Sequence, residues 1–145
     1  MTTARHLATI DRLRTLPFPA RSGDPEAGRG GADYHLAELA TSEDFWEDDG
    51  TRREAVEEQY EAERDALAAL LTTRWGEPQV FSLWSLFERC ANGEEVPEPW
   101  RTLSQSVPDV HLWRVDEHWI ALGVSQWDGE LPFQLLAAVT PTDPP

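Results

Sequence analysis

The sequence predicts a single α+β domain, with N-terminal helices packed on one face of a C-terminal antiparallel sheet. Three observations lead there. Apolar residues crowd into the second half: of the 31 Leu, Ile, Val and Phe, 22 lie between positions 67 and 139. Their spacing is helical up to Trp75 and alternating after Pro78, the two periods that separate helix from strand. Two short polar turns, Asp116-Glu117 and Asp128-Gly129, then divide the alternating stretch into a three-strand meander.

Residues 2–16 read as a first helix, because Leu7, Ile10 and Leu13 recur every three positions and Ala4 and Ala8 extend that face. Thr2 or Thr3 can cap its start, and Pro17 blocks its continuation. Residues 17–31 contain seven Gly or Pro among 15 positions and one large apolar residue, Phe18. They are expected to form a mobile loop. Helical spacing resumes over 33–48 through Leu36, Leu39 and Trp46, and Gly50 ends it. Thr51-Arg52-Arg53-Glu54 has the form of a capping box. The helix it opens should run to about Trp75, with Val56, Tyr60, Leu67, Leu70 and Leu71 along one stripe. Gly76 suits a positive-φ stop, and Pro78 forbids resumption.

Residues 79–84 read as a fourth strand, Ser85 to Ala91 as a short helix, and Pro99 to Ser104 as a helical turn. The meander strands are Val110–Val115, Trp119–Gln126 and Leu131–Val139, followed by a tail at 140–145. Two-residue turns set the register. Val115 should face His118, Trp113 should face Ile120, and His111 should face Leu122. Across the second turn Val124 should face Phe133 and Leu122 should face Leu135. One face then carries Trp113, Ile120, Leu122, Val124, Phe133 and Leu135 as the core. The other carries Leu112, Arg114, Trp119, Ala121, Gly123, Ser125, Gln134 and Leu136, and it is not purely polar.

The chain has 145 residues, 27 acidic and 12 basic, for a net charge of −15, and every basic residue is arginine. That excess argues against nucleic acid or an anionic membrane as a direct partner. No apolar run reaches the roughly 18 residues of a membrane span. The start lacks the apolar block of a secretory signal. A cytoplasmic location is expected.

Chemistry-bearing patterns are sparse. Cys90 is the single cysteine, without a nearby histidine, and reads as a packing residue. His35 and Glu38 lie three apart on the expected second helix, but the Glu-x-x-His order of a carboxylate-bridged site is reversed. No metal site or cofactor is expected. The Gly28–Gly31 stretch lacks the strand before it and the Lys-Ser/Thr after it that a phosphate loop needs. No catalytic constellation emerges, which leans away from an enzyme.

Two features stand out. Six carboxylates and no basic residue lie between Glu38 and Asp49, and the chain has seven tryptophans. Trp84 and Trp113 fit a core. Trp46, Trp100 and Trp127 are harder to bury together. The first functional reading is therefore a non-catalytic protein-binding domain with a basic partner. Glu43, Asp44, Glu47, Asp48 and Asp49 would steer the encounter, and Phe45 and Trp46 would anchor it. In size, charge and layout the chain looks like bacterial immunity proteins and antitoxins, although no motif carries the likeness. The alternative is a small-molecule-binding or hydrolytic domain, whose pocket between helices and sheet would use His111, Arg114, Trp119 and Gln134.

Overall fold

The computed structural model describes residues 2–15, 29–31, 34–43, 50–125 and 132–145. Along the chain these form α1 (Thr2–Thr15), β1 (Arg29–Gly31), β2 (Tyr34–Thr41), α2 (Thr51–Trp75) and β3 (Gln79–Ser82). Then follow α3 (Trp84–Ala91), α4 (Trp100–Ser104), β4 (Asp109–Val115), β5 (His118–Ser125) and β6 (Gln134–Thr140). The strands make one antiparallel sheet in the order β1-β2-β6-β5-β4-β3. The domain is α+β, with the N-terminal helices against one sheet face as expected.

That face packs Ile10 and Leu13 of α1 and Tyr60, Leu67 and Leu71 of α2 onto Trp113, Ile120, Leu122, Phe133 and Leu135. All six expected core residues lie in or against this cluster. The opposite face is also covered. Leu83, Leu86 of α3, Trp100 and Leu103 of α4, and Val107 pack onto Leu36, Val110, Leu112, Ala121 and Leu136. Trp100 is fully buried, and its indole N–H donates to the Thr142 carbonyl at 3.1 Å. The segment expected as a tail is thereby held against this second layer.

Three expectations are corrected. Residues 34–41 form a strand, not part of a helix over 33–48. The Leu36–Leu39 spacing fits a helix, but β2 lies between two apolar layers, so consecutive residues His35 and Leu36 are both buried and no alternation shows. Residues 29–31 belong to β1, which shortens the expected loop; its residues 17–28 lie outside the described residues. The β5–β6 register is displaced by two: Val124 pairs with Leu135 and Leu122 with Ala137. The cause is visible at Phe133. Its N–H donates to Ser42 Oγ and its carbonyl accepts from the Ser42 N–H, each at 2.9 Å, so it bonds to the end of β2 instead of to Val124. A displacement of two preserves facing, and the core assignment therefore survived. The turn at Asp128-Gly129 lies outside the described residues. The β4–β5 register is as expected, with Val115 opposite His118 and Trp113 opposite Ile120.

The long helix starts and ends where the sequence indicated, but its start is built differently. Gly50, at φ 101°, holds the cap position before Thr51, and its carbonyl accepts from the Glu54 N–H at 3.1 Å.

Candidate functional site

The sheet ends at β3, which pairs with β4 alone among the described strands. A concave surface flanks this edge on each side. On the α2 side a cleft of about 470 Å3 is bounded by Glu57, Glu61 and Arg64 of α2 and by Val80, His111 and Val124 of the sheet. Positions 57, 61 and 64 follow helical spacing, which turns all three toward the strands. On the α3 side a groove of about 480 Å3 has Leu83 and Val107 along it and Trp84 and Phe87 as a wall. Asp109 borders both.

The groove wall is the most exposed aromatic surface described. Trp84 is 61% exposed and Phe87 37%. Their rings stack, with centroids 5.6 Å apart and planes 22° apart. In α3 the residues Leu86 and Cys90 turn inward to the second core while Trp84 and Phe87, three apart, share an outer face. The core role expected of Trp84 is thus corrected. The signal was present: apolar residues at 83, 84, 86, 87 and 90 are too many for one face of a short helix.

In the other cleft, His111 stacks on Trp113, with ring centroids 6.3 Å apart. Its Nδ1 is buried and has no hydrogen-bond partner among the described residues. Burial pulls the His111 pKa below the ordinary imidazole value and the Arg64 guanidinium adds to that, while Asp65 and Asp109 oppose it. Arg64 is itself held by Asp65, at 3.0 Å. No serine, cysteine or carboxylate hydrogen-bonds to His111 among the described residues, so it lacks the oriented partner of a nucleophile–base pair.

The four residues expected to line a pocket are not brought together. Arg114 and Trp119 lie opposite each other on the second face, the guanidinium 5.2 Å from the indole centroid. Both reach Asp143: Trp119 Nε1 donates to Oδ1 at 2.8 Å, and Arg114 Nη1 lies 3.4 Å from it. Gln134 begins β6 opposite Ser125 at the end of β5, where its Oε1 accepts from Ser125 Oγ at 3.4 Å. Of the four, His111 borders the cleft on the α2 side. Of the expected docking segment, Glu43 is exposed and pairs with Arg52; Asp44, Phe45, Trp46, Glu47, Asp48 and Asp49 lie outside the described residues.

His35 and Glu38 fall on a strand, where residues three apart face opposite sides, so they cannot share one ion. No group of three His, Cys, Asp or Glu suited to a metal occurs among the described residues. Cys90 is half-buried, its Sγ 3.9 Å from Ser104 Oγ. No described helix is long and apolar enough to cross a membrane. Compared with protein-family models, curated proteins and solved structures, the chain matches none.

Proposed function

We propose that this chain is a non-catalytic, cytoplasmic protein-binding domain that docks a basic partner, as immunity proteins, antitoxins and regulatory domains do. The carrying observation is the stacked Trp84–Phe87 pair, exposed at the end of the sheet in a chain of net charge −15. An exposed tryptophan loses apolar contact with water only when something covers it, and such residues concentrate binding energy. The charge supplies encounter rate and rejects acidic competitors.

The test is a quantitative pull-down from the native cell with the wild-type chain and with Trp84→Ser. The expected result is a basic protein recovered by the first and lost by the second. Equal recovery overturns the assignment of this surface.

The second reading, a small-molecule or hydrolytic domain, draws on one observation: the buried, unpartnered Nδ1 of His111 beside a cleft. An imidazole kept neutral there by burial has a free ring nitrogen lone pair and can serve as a general base. Hydrolysis of an activated ester by the native protein, abolished in His111→Asn, would favour it.

A further inference from the structure

We propose that the free edge of β3 accepts an extended basic peptide as an added strand, with alternate side chains basic toward α2 and apolar toward α3. The inference rests on the protein-binding reading and specifies the form of the partner. Its first support is the ladder. The Leu83 N–H donates to the Pro108 carbonyl at 2.9 Å, and Leu83–Pro108 continues the β3–β4 register in which Phe81 faces Val110 and Gln79 faces Leu112. Antiparallel pairs alternate between bonded and non-bonded. Val80 and Ser82, opposite His111 and Asp109, therefore direct their backbone N–H and C=O groups away from β4. These outward groups are the template for strand addition.

Its second support is the difference between the two sides. A strand sends successive side chains to opposite faces. Toward α2 they would flank Val80, 63% exposed, the β3 residue on the rim of the cleft that the carboxylates of Glu57, Glu61 and Asp109 also border. Among the described residues, the cation that borders that cleft, Arg64, is tied to Asp65. Arginine or lysine, with an apolar stem and a charged head, matches that wall. Toward α3 they would meet the groove walled by the stacked, exposed rings of Trp84 and Phe87. A second copy of this chain suits the edge poorly, since each copy carries −15 and like charges would face each other.

The probe is a fluorescein-labelled nonapeptide alternating arginine and leucine, titrated by anisotropy against the full chain. A peptide of the same composition, with its arginines and leucines in two blocks, is the control. The alternating peptide should bind at least about tenfold tighter. Val80→Pro should remove that advantage, because it deletes an outward N–H that no described strand uses, a position where proline is tolerated. N-methylation of the peptide at one alternate set of residues should abolish binding, and at the other set should not. This arm leaves the protein untouched, so it decides the matter even if Val80→Pro unfolds. Equal binding of both peptides, equal effects of both methylated sets, or a dimer of this chain that occupies the edge would each overturn the proposal. With a partner recovered by pull-down, loss on Trp84→Ser but normal binding by Val80→Pro would leave the protein-binding reading standing and remove strand addition. Loss on neither would remove both.

Discussion

The indole N–H of Trp113 donates to the Gly76 carbonyl across 2.9 Å, fastening the end of α2 to β4. Gly76 adopts φ 87°, ψ −176°, a region essentially closed to residues with a side chain. That conformation releases the chain from the helix in the direction β3 requires. Gly76→Ala should cost about 1–3 kcal/mol, read as a lower denaturation midpoint. Nothing lies within 4 Å of the added Cβ, so the loss would measure backbone strain and not crowding. An unchanged midpoint would remove the strained-turn assignment.

Gly123 presents the opposite case. A Cβ there would come within 2.6 Å of Val107 Cγ1 and 3.2 Å of the Asp109 carbonyl oxygen. Val107 is itself buried in the second core, so it has little room to yield. Gly123→Ala should destabilise by about 1–3 kcal/mol through overpacking. The double variant Gly123→Ala with Val107→Ala should lose less than the sum of the two single variants. Additive losses would show that the contact does not limit the site.

These two glycines also mark what the sequence could and could not disclose. The Gly76 stop was legible, because a helical stripe ends there and Pro78 follows. The close approach at Gly123 was not, because it depends on a second layer that crosses the sheet. The same layer explains the misread strand: Leu36 faces α3 and α4 while β2 also borders the first core, and burial on both sides erases the alternation that identifies a strand. Periodicity found the β5–β6 face but not its register, since Ser42 takes the Phe133 backbone groups. For the candidate site, His111 was legible as a polar residue on the core face. Trp84 was legible only in part: the surplus of apolar residues between 83 and 90 says that one face of the short helix stays outside, but not which residues lie on it.

Stability should fall on mild acidification. Burial lowers the pKa values of His6 and His111; beside His6, Glu63 opposes the shift and Arg5 reinforces it, while at His111 the next contribution is Arg64. In the unfolded chain these rings take up protons near pH 6.5, but in the folded chain only at lower pH. Between those values the unfolded state binds more protons, so the folded state loses stability as pH falls. The stabilisation is complete above about pH 6.5. Urea midpoints measured from pH 7.5 down to 5.5 should therefore decline, and the double variant His6→Asn with His111→Asn should flatten the decline. A slope that survives both substitutions would assign it to other groups.

Charge and aromatic contact should separate in the kinetics of partner binding. Long-range attraction acts before contact, and exposed charges are screened beyond about 8–10 Å near physiological ionic strength. Raising salt should therefore slow association steeply while changing dissociation little. The Trp84–Phe87 stack acts only after contact, when its exposed area leaves water. Trp84→Ala should speed dissociation by about tenfold or more, with association nearly unchanged. Trp46→Ala is the informative comparison, because Trp46 is the anchor suggested by the acidic run from Glu43 to Asp49. If Trp46→Ala speeds dissociation and Trp84→Ala does not, that segment is the docking surface and the edge of β3 is not. If neither does, while salt still slows association, the charge steers a partner to some other contact, and the exposed stack loses its assigned role.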